Sequence, residues 1–204
     1  MTVDAAGFVG LRVDPTVARE VASEYIDAPS FGRRRHVRAA YAQLVTESDR
    51  LFRRITSPDR PDRVRIMFTT CRVPYADAHE LIASVRDHRV LEVTTTAAET
   101  DRRHPMMGNE AGGSYDRFRG VHDVLGHARL QLGFDRDGEF AVWRWQERFH
   151  SRLARQALAT ELHGQHSVLW TTGDLAEPKA ILLDPRLLRR SRESGDPTRA
   201  SGTR

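Results

Sequence analysis

The sequence is poor in lysine, in cysteine and in long apolar runs. Lys179 is the only lysine among the 204 residues, so arginine supplies nearly all of the positive charge behind the formal net charge of +4. The arginines are spread along the chain, with local density only near 33–35 and in the C-terminal tail. This spread indicates a general compositional habit, and we do not expect nucleic acid as a partner.

The single cysteine, Cys71, excludes an internal disulfide and suits a reducing compartment. No run of about 18 apolar residues is present, so we expect no membrane partner. Residues 1–7 lack the basic region and apolar stretch of a signal peptide. We therefore expect a cytoplasmic protein, and the sequence indicates no oligomeric state.

Hydrophobic residues make up 39% of the chain and charged residues 29%, which is typical of a globular domain. Helical periodicity predicts an N-terminal helix that starts at Asp14–Pro15 and a second helix over 34–55. Residues 64–68 and 90–94 are predicted strands, and Pro74 is expected to open the helix between them. Strand, helix and strand in this order predict a βαβ unit.

Residues 97–113 form a predicted loop rich in turn formers, of the kind that often carries function. A helix is expected from Ser114, a turn at 133–138, and a second helix from about Glu139. The short connection predicts an antiparallel helical hairpin. We thus expect a predominantly helical α+β domain over 1–185, in which an N-terminal half (1–100) packs on a C-terminal half (101–185) that carries the site. The basic segment 186–204 is expected to be largely disordered.

The stretch from His122 to His127 reads His-Asp-Val-Leu-Gly-His and lies inside the first helix of this hairpin. Imidazole is a common metal ligand and proton carrier. In a regular α-helix the two histidines are about 140° apart and cannot bind one ion. A π-helical bulge would align residues i and i+5, and such bulges occur frequently at functional sites. Gly126 is where such a distortion would be least obstructed.

The second helix of the hairpin carries polar side chains among aromatic and small apolar ones. If it is regular, a sector of about 80° holds Glu139, Trp143, Glu147, His150, Ala154, Ala157 and Glu161. Buried charges need partners. Counted from the turn, Glu147 and His150 are the nearest polar residues to His122. They form either a buried polar network or part of a site, where His150 would be a ligand or acid–base group oriented by Glu147.

The motif resembles the His-acid-x-x-Gly-His motif of the pterin-dependent aromatic amino acid hydroxylases. This resemblance implies that His122 and His127 bind non-haem iron(II), with Glu161 as the carboxylate of a 2-His-1-carboxylate triad. A straight helix would place Glu161 about 16 Å beyond His150, so either the helix breaks and Glu161 joins the site, or Glu147 and His150 are the partners of the motif. Ser151 can cap a new helix over 152–163, closed by Gly164. The wider segment 104–165 is similar to uncharacterised actinobacterial and phage proteins.

The leading hypothesis is a small metal-dependent enzyme, a non-haem iron(II) oxygenase or hydroxylase acting on a small molecule. Its metal ligands would be His122, His127 and Glu161. Asp123 would hold the tautomer of an imidazole, and His150 with Glu147 would supply acid–base catalysis.

Four further residues are candidates for substrate binding. Arg117 and Arg119 could clamp a carboxylate, His104 could enter the site from the loop, and Trp143 could form a pocket wall. Two other functions stay open. One is a zinc-dependent hydrolase, and the other is a non-enzymatic interaction protein with a buried polar network.

Overall fold

The computed structural model describes residues 6–29, 34–97 and 104–195, and these residues are predominantly helical with one small parallel sheet. The predicted α+β class is confirmed. Residues 98–103 of the predicted loop and residues 196–204 of the predicted tail lie outside the described ranges.

The helices within the described ranges are α1 (Pro15–Asp27), α2 (Arg35–Thr56), α3 (Ala78–Ala83), α4 (Ser114–His122), α5 (Arg136–Gln146), α6 (Arg152–Ala159), α7 (Gln165–Thr172) and α8 (Pro185–Ser194). The strands are β1 (Arg65–Thr69) and β2 (Val90–Thr94). Segments Ser84–His88, Asp123–Ala128 and Thr160–Gly164 are π-helical, and Glu147–Phe149 forms a 3₁₀ turn.

The N-terminal helices form as predicted. The Asp14 carboxylate accepts hydrogen bonds from the N–H groups of Thr16 and Val17, and Pro15 occupies the first turn of α1. Helix α1 packs on α7, and α2 packs on α4 and α6, so the N-terminal half covers the C-terminal half. The buried tyrosines Tyr25 and Tyr41 lie in this main core.

Strands β1 and β2 pair in parallel, with Ile66 opposite Leu91, and α3 lies in the connection between them. The predicted βαβ unit is confirmed. Helix α3 begins at Ala78, where the Asp77 carboxylate caps it, and not at Pro74 as predicted. The sheet packs on the outer side of Asp123–Ala128 through a second apolar cluster.

The predicted helical hairpin is also confirmed. Asp135 accepts hydrogen bonds from the N–H groups of Asp137 and Gly138 and so begins α5. Helix α4 runs into the π-helical segment Asp123–Ala128, which packs against α5. A Cβ at Gly126 would lie 2.3 Å from Val142 Cγ1, so only glycine permits this close approach.

The predicted break in the second hairpin helix is present. Helix α5 ends at Gln146, and the Ser151 hydroxyl accepts a hydrogen bond from the N–H of Ala154 at the start of α6. The helix does not end at Gly164 as predicted. It continues through the π-helical segment Thr160–Gly164 into α7. Glycine is present here because the helix packs closely on Tyr25, since a Cβ at Gly164 would lie 2.8 Å from Tyr25 Cδ2.

The prediction of a disordered tail beyond Pro185 is wrong for residues 186–195. Asp184 caps α8, whose Leu188 and Ser191 are buried against the rest of the chain. Few apolar residues mark the buried side of this helix, so its arginine-rich composition led to the prediction of disorder. In the described ranges, no helix is both long and apolar enough to cross a membrane.

Replacement of Gly126 by alanine should destabilise the fold by about 1–3 kcal/mol, because the added methyl group overlaps Val142 and forces the hairpin apart. Urea unfolding followed by circular dichroism measures the change. Gly108→Ala is the matched control, because a Cβ there meets nothing within 4 Å, and its effect should stay within about 0.5 kcal/mol. Equal stability of both variants would contradict the close packing of the hairpin.

Candidate metal centre

The π-helical segment Asp123–Ala128 brings the two motif histidines together. Their Nε2 atoms are 3.0 Å apart, and both imidazoles are buried. The π-bulge that the metal hypothesis requires is present, and it has the expected consequence. Residues i and i+5 face one another because the widened turn removes the angular offset that a regular α-helix imposes.

Each imidazole is held through its other ring nitrogen. His127 Nδ1 donates to the Leu132 carbonyl at 3.0 Å, and His122 Nδ1 donates to Gln146 Oε1 at 2.9 Å. With the proton on Nδ1, a neutral imidazole presents a bare lone pair on Nε2. Two such lone pairs 3.0 Å apart repel one another, so the arrangement requires a proton or a metal ion at the Nε2 atoms.

The carboxylate beside both histidines belongs to Glu139, in the first turn of α5. Its Oε2 lies 3.4 Å from His122 Nε2, and its Oε1 lies 3.3 Å from His127 Nε2. The glutamate side chain is 7% exposed. The hairpin produces this contact because the first turn of α5 packs beside the π-helical segment Asp123–Ala128.

A third imidazole, from His166 in α7, completes the cluster. Its Nε2 lies 3.5 Å from Glu139 Oε1, and its Nδ1 donates to the Leu162 carbonyl at 2.8 Å. This is the same arrangement as in His127, with a backbone carbonyl on Nδ1 and a bare Nε2 turned inward. The preceding π-helical segment Thr160–Gly164 sets the direction of this side chain.

The spacing of these atoms is that of ligands around one ion. Donor atoms about 2.0–2.2 Å from a metal, at angles between octahedral and tetrahedral, lie about 2.9–3.6 Å apart. Four separations fall in this range: 3.0 Å between the Nε2 atoms of His122 and His127, 3.4 and 3.3 Å from these two atoms to the Glu139 oxygens, and 3.5 Å from Glu139 Oε1 to His166 Nε2. Three imidazoles and one carboxylate thus form a donor set that suits a divalent transition metal.

The charges of the cluster are strongly coupled. Burial raises the pKa of Glu139, but the facing imidazoles of His166 and His127 outweigh burial and hold that pKa well below its usual range. Burial lowers the pKa of His127, but Glu139 outweighs it and raises the pKa to about 9. Burial dominates at His166 and lowers its pKa despite Glu139. A positive charge among these side chains is therefore needed to offset the buried carboxylate.

A cavity of about 480 Å³ lies beside the cluster and is lined by all four of its side chains. The size is within the range of small-molecule sites. Asp123 lines the same cavity, and a carboxylate oxygen of Asp123 lies within 4.8 Å of the ligand nitrogens of His122 and His127. Burial raises the pKa of Asp123. Asp123 does not hold an imidazole tautomer as expected, since Gln146 and Leu132 bind the two Nδ1 atoms.

Glu161, the expected third ligand, has other partners. Its Oε1 accepts hydrogen bonds from the Tyr41 hydroxyl at 2.5 Å and from His104 Nε2 at 3.0 Å, and its Oε2 accepts one from Gln165 Nε2 at 2.8 Å. Glu161 lines the metal cavity, but Glu139 occupies the position between the imidazoles. The additional side chain at the cluster comes from His166 in α7, and not from Glu161 in the π-helical segment Thr160–Gly164.

The expected acid–base pair is not at the cluster. Glu147 pairs with Arg192 and lies 3.4 Å from Arg144, while His150 Nδ1 donates to the Gln146 backbone carbonyl at 3.0 Å. Neither residue lines the metal cavity. The 3₁₀ turn at Glu147–Phe149 rotates both side chains away from His122, which explains why counting along a regular helix placed them wrongly.

The expected substrate residues are in four different environments. Arg117 pairs with Asp49 outside the cavity, whereas Arg119 lines the cavity and donates to the Thr94 carbonyl at 3.0 Å. His104 is buried beside Glu161. Trp143 is fully buried, so it is a core residue and not a cavity wall.

Sequence reasoning missed Glu139 and His166 as partners of the motif. Glu139 belongs to the polar sector of the second hairpin helix, and its place directly after the turn was the available signal. His166 had no comparable signal, because it follows two changes of helical geometry. Comparison of the chain with protein-family models, with curated proteins and with solved structures gives no match.

Acid should destabilise the protein partly through His163, whose ring stacks on Trp143 at 4.3 Å and is fully buried in the core. Burial lowers its pKa to about 3, so between about pH 6.5 and 3 the unfolded chain binds a proton that the folded chain does not. Stability from this group is present above pH 6.5 and falls as the pH falls, by about 3 kcal/mol at pH 4.

Urea unfolding of wild type and His163→Gln at pH 7, 5 and 4 measures this contribution. The variant should lose less stability on acidification than the wild type. His36→Gln, at an exposed histidine, is the control and should retain the wild-type pH dependence. Identical slopes for wild type and His163→Gln would refute the assignment.

Proposed function

We propose that the protein is a metal-dependent enzyme whose ion is held by His122, His127, Glu139 and His166. The observation that carries this proposal is a set of four separations of 3.0–3.5 Å among three imidazole Nε2 atoms and the two Glu139 oxygens, with each Nδ1 atom bound to an acceptor. Partners on Nδ1 that orient a ligating imidazole are the usual second shell of protein metal sites. A structural network without a metal ion would need a proton at these Nε2 atoms instead.

The donor set favours iron(II) over zinc for an enzyme. Zinc in proteins is usually four-coordinate, so three imidazoles and a carboxylate would fill its coordination sphere. A six-coordinate iron(II) ion with the same ligands keeps two positions for dioxygen and substrate. Two histidines and one carboxylate are also the core of the non-haem iron(II) oxygenase triad. The cavity of about 480 Å³ gives a small molecule access to these positions.

The activity that we propose is oxygenation of a small organic molecule by dioxygen. In a hydroxylation, one oxygen atom enters a C–H bond of the substrate and the other leaves as water. The reaction consumes two protons and two electrons. We assign both to an organic reductant that binds in the same cavity. Glu161 supports the cavity wall by fixing Tyr41, His104 and Gln165.

Metal content tests the proposal directly. Protein purified without chelators should contain about one iron per chain, measured by elemental analysis. His122→Ala and Glu139→Ala should each weaken binding of added iron(II) by more than about 100-fold, which exceeds the effect typical of residues outside the ligand shell. Circular dichroism confirms that each variant is folded.

Glu161→Gln is the matched control, because it changes a buried carboxylate of the same cavity whose oxygens have other partners. It should keep the metal. Loss of iron in Glu161→Gln together with retention in Glu139→Ala would contradict the ligand set. Zinc at one ion per chain would contradict the oxygenase proposal, and absence of any bound metal would favour an interaction protein.

A further inference from the structure

A second cavity, of about 460 Å³, lies on the other side of the π-helical segment Asp123–Ala128. Val124, Leu125 and Ala128 line it, whereas His122 and His127 line the first cavity. The two cavities therefore share one π-helical segment but present different side chains. The metal centre uses no residue of the second cavity.

The floor of this second cavity is apolar. It is formed by side chains from α2, the sheet region, the π-helical segments and α5, namely Leu51, Ile55, Val64, Val85, Val124, Leu125, Ala128, Trp145 and Phe149. The indole N–H of Trp145 donates to the Leu125 carbonyl at 2.7 Å, so this polar group is already satisfied. The floor is suited to the apolar body of a ligand.

The rim of the cavity is cationic. Five guanidinium groups line it, and the only carboxylate among the lining residues is Asp62; the five are Arg54, Arg60, Arg86, Arg89 and Arg129. Asp62 pairs with Arg60, and Asp87 pairs with Arg86. In the described ranges, no carboxylate lies within 4.0 Å of the other three guanidinium groups. The positive charge of the rim thus favours binding of an anion.

Two residues of the rim hold an unfavourable backbone conformation. Arg89 has φ 56° and Gln131 has φ 57°, whereas the other described residues with positive φ are Gly10, Gly112 and Gly173. A side chain in the left-handed region costs about 1 kcal/mol relative to glycine. Both non-glycine residues with this conformation line the same cavity. Each of the two follows the last residue of a helical segment, where glycine is the usual residue in this conformation.

We propose that this second cavity binds an organic phosphate with an apolar body. Guanidinium groups bind phosphate oxygens through paired N–H donors, and arginine is preferred over lysine for this geometry. The volume of about 460 Å³ fits a small molecule of this class. Arg54, Arg89 and Arg129 hold the phosphate, and the floor holds the apolar body. The site does not depend on the metal centre.

Octyl phosphate, below its micellar concentration, is the probe, and isothermal titration calorimetry measures its binding to the full chain. Inorganic phosphate and octan-1-ol supply the head and the body alone, and each should bind at least about tenfold more weakly. Equal binding of octan-1-ol would overturn the role of the arginines. Binding of single-stranded DNA or of vesicles of anionic phospholipid, without binding of monomeric octyl phosphate, would also overturn the proposal.

Glycine substitutions separate ligand binding from folding. Arg89→Gly and Gln131→Gly should each raise the melting temperature, because the left-handed backbone is relieved, and Arg89→Gly should weaken octyl phosphate binding by about tenfold. Arg129→Ala should weaken binding similarly. A stabilised Arg89→Gly protein with unchanged binding would overturn the proposal.

Arg152→Ala is the control, since Arg152 is exposed and outside the cavity. Its octyl phosphate affinity should match that of the wild type, and a tenfold loss there would show nonspecific attraction to arginine and refute the site. Metal content of Arg89→Gly and Arg129→Ala should equal that of the wild type. Failure of the metal centre would thus be seen separately from failure of this site.

Discussion

The structure depends on one widened helical turn, Asp123–Ala128, which places two imidazoles on the same side of a helix. A regular α-helix would direct them into different environments. The turn is tolerated because Gly126 lets the segment lie directly against Val142 of α5. That contact sets the separation of the hairpin helices, and with it the position of Glu139. The backbone distortion and the donor cluster are therefore one feature of the fold.

Two buried carboxylates in this region are stabilised in different ways. Glu139 faces three imidazoles whose Nδ1 atoms are occupied, so its charge is matched by a cation at the Nε2 atoms, either a proton or a metal ion. Glu161 accepts three hydrogen bonds from Tyr41, His104 and Gln165. Buried charge is costly unless it is paired or fully hydrogen-bonded. This contrast is why the geometry favours Glu139 as the ligand.

The irregular helical segments place the chemically important side chains. Of the three π-helical segments, one follows His122 and contains His127, another precedes His166, and the third, Ser84–His88, ends at the left-handed Arg89 of the second cavity. Each changes the direction of the side chains that follow it. The first segment has the donor cluster on one side and the apolar floor of the proposed phosphate site on the other.

The sequence by itself determined the features that depend on neighbours along the chain. Local periodicity and capping are enough to predict the helix starts at Asp14 and Ser151, the parallel strands and the hairpin. The spacing of His122 and His127 indicated only that a π-helical turn would be needed to bring them together. Only the tertiary structure decided that Glu139 and His166 complete the cluster and that Glu147 and His150 do not. Their directions depend on turns that are not α-helical and on the approach of α7. A fixed angle per residue cannot describe either effect, because packing between distant segments sets both.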